Sequence, residues 1–134
     1  MAMSLALLRI VNSSNLVFQR RDFQTTVYPG LLTFFGGRIE EGESPLEAFH
    51  REVGEETSYS PDDLRGVHAL LLHHIVTLAD GRNVQASLFE ATVDDQPEYV
   101  YEGSGAELHS IEAALDRTDL AEIARTLIKD LGLE

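Results

Sequence analysis

The residues that most constrain this chain are Ser44-Pro45-Leu46-Glu47, which announce a helix in the middle of a sequence otherwise dominated by strand patterns. Ser44 suits an N-cap, Pro45 the first helical position, and Glu47 completes a Ser-x-x-Glu capping box. Leu46, Phe49 and Val53 then fall on one helical face, which predicts burial against a sheet and a helix end near Thr57.

On either side the pattern changes period. Residues 5–11 and 16–20 are short apolar runs joined by Asn12-Ser13-Ser14-Asn15 and predict a hairpin. Pro29-Gly30 marks a turn, and residues 31–35 predict a short strand ending at Gly36-Gly37. Beyond Pro61, residues 67–78 and 83–93 predict two long strands around Asp80-Gly81, a strong hairpin signal. A loop rich in acids and glycine follows, then a short strand at 106–109 and a brief helix from Ser110. Leu120, Ile123, Ala124, Leu127, Ile128 and Leu131 repeat at amphipathic spacing, with Gly132 as the stop. The expected class is α/β (α+β), a mixed β-sheet between helices on opposite faces, with residues 1–134 forming one domain.

Charge and composition narrow the functional classes. A net charge of −13 disfavours a nucleic-acid polymer as partner. The absence of cysteine excludes disulfides and thiolate metal sites. Residues 5–8 are too short for a signal-peptide core, and no apolar run reaches membrane-spanning length, so a soluble cytoplasmic protein is expected. Sheet edges and the apolar N-terminus could support a homodimer.

The acids cluster where the helix is. Glu52, Glu55 and Glu56 stand at i, i+3 and i+4, within about a third of the helix circumference. They lie at the edge of the apolar stripe, with Ala48 leaving room above them and Glu43 in the preceding loop. Two unit charges about 4 Å apart repel by roughly 4 kcal/mol at an effective dielectric near 20. Splaying into solvent would reduce that cost, and a hard dication bound by the oxygens would remove it. The spacing alone is equally compatible with a solvated acidic face.

The segment from Gly37 to Tyr59 resembles the Nudix box, a Gly, five residues, a Glu, seven residues, then Arg-Glu-U-x-Glu-Glu-x-Gly-U, where U is bulky and apolar. Gly37, Glu43, Arg51, Glu52, Val53, Glu55 and Glu56 match in identity and spacing, while Ser58 replaces the last Gly and Tyr59 the final aliphatic. A Gly at that position would be expected to take a left-handed capping conformation, at a cost of about a kcal/mol for Ser. The resemblance implies an α/β/α sandwich and a nucleotide pyrophosphatase that cleaves a phosphoanhydride bond. It implies Mg²⁺, with Mn²⁺ as the alternative ion, held by Glu52, Glu55, Glu56 and the Gly37 carbonyl. Glu43 would assist and Arg51 would orient a neighbouring glutamate, against the plainer reading of Arg51 as a surface partner of Glu47 or Glu55.

In this family the general base can also come from a later loop, which makes Glu98 and Glu102 candidates. His73 and His74 should point to opposite faces of their strand, and one of them could line a substrate cleft. Marks of family subgroups are absent. Ile75-Val76-Thr77 stand where ADP-ribose hydrolases carry a proline, and the tyrosine of diadenosine polyphosphate hydrolases is missing there too. The motif of NADH hydrolases is also missing, and no asparagine after Asn83 suggests a reader of oxidised guanine. A small nucleotide, a nucleoside di- or triphosphate or a diphosphate derivative, is the substrate left by elimination. The alternative is a Nudix-fold nucleotide-binding or regulatory domain with weak or no turnover, motivated by Ser58 and Tyr59.

Overall fold

The computed structural model describes residues 1–26 and 28–133. Its organising element is β1 (Ala2–Ile10), whose alternating side chains feed two cores. Leu5 and Leu7 enter one, Ala6 and Leu8 the other, as the two-residue period of a strand requires. β2 (Asn15–Arg20) returns antiparallel to β1, pairing Leu8 with Val17, with Asn12 taking a positive φ of 55° in the turn.

The apolar run expected as one strand at 31–35 serves two partners. Leu32–Thr33 (β3) pairs with β2, the chain breaks at Phe34, and Phe35–Arg38 (β4) pairs with β1 from Met3 to Ala6. Gly36 and Gly37 therefore lie inside a strand and do not end one. β1 exchanges its antiparallel neighbour from β2 to β4 along its length, and the fork between those neighbours opens a cleft.

The remaining strands follow the sequence expectation closely. β5 (Arg65–Thr77) and β6 (Asn83–Val93) form the long hairpin, and β6 runs parallel to β1 from Ala2 to Ile10. β7 (Gly105–Ser110) adds to β2. Among the described residues this makes a seven-stranded mixed sheet in the order β3-β2-β1-β6-β5, with β4 on β1 and β7 on β2.

Helix α1 (Pro45–Glu56) covers one face through Phe49 and Val53. Helices α2 (Ile111–Leu115) and α3 (Glu122–Leu131) cover the other through Ala114, Ile123, Ala124, Leu127 and Ile128. Gly132 ends α3 with a left-handed φ of 67°, which glycine adopts without a Cβ clash. No helix among the described residues is long and apolar enough to cross a membrane.

Two expectations fail locally. Leu46 does not join the buried stripe and stays 44 % exposed, because α1 is rolled so that its Glu52–Glu56 edge faces β4. The buried positions are Ala48, Phe49, Val53 and Glu56. In β5 the simple alternation is broken by bulges, one of them at residues 72–73 opposite Ser87. His73 is exposed there with a φ of 53°, its backbone N–H donating to the Ser87 hydroxyl, while His74 pairs with Asp130 at 2.9 Å.

Candidate active site

Two interactions fix the start of α1. The capping box forms as the sequence predicts, with the Glu47 N–H donating to Ser44 Oγ at 3.1 Å and the Ser44 N–H to Glu47 Oε1 at 2.9 Å. The buried Ser4 hydroxyl of β1 donates to the Pro45 carbonyl at 2.7 Å and ties the first turn to the central strand. With the helix fixed at this end, its last two turns lie beside the glycines of β4.

Contact there is close because neither glycine carries a side chain. Gly37 lies so near Glu52 that a Cβ would stand 2.8 Å from Oε1. Gly36, at a φ of 133°, presses against the Ser4 carbonyl and donates its N–H to Glu56 Oε1 at 2.9 Å. Glu56 is only 2 % exposed. Burial holds its carboxyl well above the usual carboxylate range, and the negative neighbours Glu52 and Glu102 raise it further. Burial thus favours the protonated form of Glu56 beside Glu52, against the opposing pull of the Gly36 N–H. These are two hard oxygen donors side by side, the donor chemistry of a site for Mg²⁺ or Mn²⁺.

Arg51 organises the remaining acids. Its Nε donates to Glu43 Oε2 at 2.7 Å and its Nη2 to Glu43 Oε1 at 2.9 Å, a bidentate pair across the loop that precedes the helix. Nη2 also donates to the Arg38 carbonyl at 3.0 Å, and Nη1 to Glu52 Oε1 at 3.0 Å and Glu55 Oε2 at 3.3 Å. The Arg51 guanidinium holds the Glu43 carboxyl down at about 2. The plain surface pair with Glu55 exists, as one of several partners, and none is formed with Glu47.

The helix does not bring its three acids to one point. Glu52 and Glu56 meet under the β4 glycines, whereas the Glu55 side chain is 56 % exposed and is drawn toward Arg51. Among the described residues, no three His, Cys, Asp or Glu side chains stand arranged around a common centre. Glu102 faces the pair closely enough to act on Glu56 electrostatically. Glu98 lines a hollow with Ser58, Tyr59 and Asp95, away from that pair. Neither His73 nor His74 lines the cleft.

The end of the box differs from expectation. Thr57 caps α1 in an extended conformation with φ −134° and ψ 167°, and Ser58 does not adopt a positive φ. No glycine is needed there, and Ser incurs no left-handed penalty. From Thr57 the chain pairs with the later loop, Ser58 N–H donating to the Tyr99 carbonyl at 2.9 Å and Tyr101 N–H to the Glu56 carbonyl at 2.7 Å. Tyr59 packs on the α1 core and its hydroxyl donates to the Asp95 carbonyl at 2.6 Å, so its ring fills the place of an aliphatic residue.

On the far side of Gly36-Gly37 lies the fork cleft, about 540 Å³ in volume. Its apolar floor includes Leu5, Phe34 and Ile123, and its polar groups include Gln19, Thr26 and Thr33. Arg21, Arg38 and Arg82 line it and no described carboxylate does, in a chain with 23 acidic and 10 basic residues. The sequence reading missed this cleft. Its residues come from scattered elements that no sequence motif joins.

The site is thus a carboxylate-bearing helix laid against a mixed sheet, with a cleft across one strand. The chain belongs to the Nudix family: the profile of the NUDIX domain matches residues 3–131. Similar folds include DR0079 from Deinococcus radiodurans, 24 % identical with a TM-score of 0.80 over 97 % of this chain and 82 % of that one. The MutT protein from Methanosarcina mazei Go1 is 24 % identical with a TM-score of 0.75, covering 99 % of this chain and 93 % of its own. A C. elegans Ap4A hydrolase is 18 % identical with a TM-score of 0.67, covering 98 % and 95 % respectively. No curated protein matches the chain.

Proposed function

We propose that this chain is a Mg²⁺-dependent hydrolase of a nucleoside di- or triphosphate or a nucleoside diphosphate derivative, with Mn²⁺ as an alternative ion. The observation that carries the reading is the buried Glu56 beside the partly buried Glu52, one strand away from an arginine-lined cleft with no described carboxylate in its lining. A buried carboxyl beside a second carboxylate is costly as an anion, which favours its protonated form when no cation is bound. A dication would take the place of a proton there and satisfy both side chains. The Ap4A hydrolase among the similar structures takes its name from a polyphosphate-linked nucleoside substrate, which supports the substrate class.

Glu52 and Glu56 would hold the ion, with the Gly37 carbonyl and Glu55, now drawn toward Arg51, as further donors. When bound, the ion supplies the positive charge that screens a diphosphate and acidifies water. The remaining roles belong to the chain itself. Arg51 fixes the Glu52 carboxylate and the Glu43 loop. Arg38, at the mouth of the cleft, meets substrate phosphates, and the cleft encloses the nucleoside. Glu102 would accept the proton of an attacking water at its Oε atoms, and its electrostatic reach to Glu56 favours it over Glu98 in this role. We place this activity in the cytoplasm, and in one domain over residues 1–134.

The alternative of a binding domain without turnover loses its motive, since Ser58 and Tyr59 fit their positions without strain. A panel of nucleotides assayed with and without Mg²⁺ tests the proposal. Glu56→Gln preserves the shape of the protonated Glu56, so the fold should survive while metal-dependent turnover falls by two or more orders of magnitude. An unchanged rate would remove Glu56 from the machinery.

A further inference from the structure

Of the described residues lining the cleft, only Phe34 and Tyr28 are aromatic. Phe34 is 2 % exposed and stacked on Phe18, centroids 5.6 Å apart and planes 17° from parallel, so the core occupies its ring. Tyr28 is half-buried against the same core.

The Tyr28 backbone is the most unusual in the loop. Its φ is 48°, a region unfavourable for a bulky side chain, and the proline that follows restricts it further. Strain of this kind persists only where the surroundings impose it. Here they do. Tyr28-Pro29-Gly30-Leu31 forms a turn closed by Leu31 N–H donating to the Tyr28 carbonyl at 3.1 Å, with Gly30 at a φ of 71°. Gly30 N–H donates to the Asp22 carbonyl at 3.0 Å, and its own carbonyl accepts from Arg20 Nη1 at 3.0 Å. The Phe23 ring closes over the Gly30 Cα. The turn is anchored at both ends, and the strained residue is the one whose ring forms the cleft wall.

We propose that Tyr28 is a specificity-determining residue, whose ring stacks on the planar base of the nucleotide held in the cleft. This rests on the nucleotide reading above. A flat aromatic face beside an apolar floor suits a planar heterocycle, because stacking is attractive for any base. The hydroxyls of Thr26 and Thr33 are present to meet the base edge, and the arginines to meet its phosphate.

The test is calorimetric binding to the full chain in EDTA, which removes turnover from the measurement. The probes are AMP, GMP, CMP and UMP, against ribose 5-phosphate as the baseless control. The native chain should hold at least one nucleoside monophosphate tenfold or more tighter than ribose 5-phosphate. Tyr28→Phe should keep that preference, and Tyr28→Leu should reduce it to within threefold. If Tyr28→Leu fails to fold by circular dichroism, Tyr28→Asn replaces it, since asparagine tolerates this backbone and has no ring. A preference retained in the ringless variant overturns the proposal, as does a native chain that prefers no base. Base-selective binding without Mg²⁺-dependent hydrolysis would instead sink the hydrolase reading and leave this one standing.

Discussion

Gly37→Ala should separate chemistry from folding. The added Cβ would stand 2.8 Å from Glu52 Oε1, 2.9 Å from Cδ and 3.0 Å from Oε2. Ordinary contact begins near 3.4 Å, so the carboxylate must retreat by about 0.6 Å. Since a misplacement of about 1 Å at a reacting centre costs on the order of a hundredfold, a loss of roughly ten- to fiftyfold in kcat is expected. Stability should barely change. Gly37 does not occupy the left-handed region, and the clash meets only the flexible end of a side chain. Alanine also restricts the unfolded chain, worth about 0.4–1 kcal/mol in its favour. The net effect should stay within about 1 kcal/mol, or roughly 4 °C in Tm. The adjacent Gly36→Ala is the contrasting control. Its Cβ would collide with the Ser4 carbonyl of β1 at a φ of 133°, so that variant should lose its fold. Steady-state kinetics on the best substrate of the panel, with thermal melts of both variants, decide the matter. A Gly37→Ala enzyme with native kcat and an intact melt would show that Glu52 does not work at this spot.

Arg51→Lys should reduce kcat about ten- to a hundredfold with little change in Tm, because an ammonium cannot reproduce the bidentate pair with Glu43 while also holding Glu52. Equal rates in the two proteins would reduce Arg51 to a surface charge. Acid should destabilise the fold through Arg20, which donates to Glu107 at 2.7 Å and 2.9 Å and to Asp119 at 2.7 Å. The Arg20 guanidinium lowers the Glu107 pKa from 4.5 to about 2, and Arg117 and Arg20 together hold Asp119 down as well. Groups depressed on folding stabilise fully above their unfolded pKa, so this contribution is intact above about pH 4.5 and is lost as pH falls toward 2. Urea denaturation at stepped pH should show that loss, and Arg20→Ala should cost about 2–4 kcal/mol at pH 7 and flatten the acid slope. An unaltered slope in the variant would place the acid sensitivity elsewhere.

What was legible in the sequence was whatever local chemistry enforces. The capping box fixes the start of α1 and Gly132 the end of α3, so both helices stand where the pattern placed them. Two kinds of feature escaped. The first depends on a strand's choice of neighbour. Residues 31–35 are one apolar run, but β2 and β1 each claim part of it, and nothing in the run marks the division at Phe34. The second depends on rotation of a rigid element. Helical spacing groups Glu52, Glu55 and Glu56 together, yet only the roll of α1 against β4 decides that Glu56 goes inward and Glu55 outward. The cleft combines both effects, since it exists only because β1 exchanges partners.

That partner exchange also explains how so acidic a chain can receive an anion. Its mean field repels a phosphate, but screening confines such fields to about 8–10 Å at ordinary ionic strength. What an approaching nucleotide meets is therefore set by the local lining, and that of the fork is three arginines with no described carboxylate. Asp80 pairs with Arg82 at the cleft, while Glu52 and Glu56 lie one strand away, behind Gly36 and Gly37, where they would repel a diphosphate by themselves. The divalent ion proposed above would reverse the sign of that second region without altering the first. A Cβ at either glycine would collide with Glu52 or with β1, which gives β4 a steric reason to carry two adjacent residues without side chains, and a substrate of the proposed class would have to span that pair.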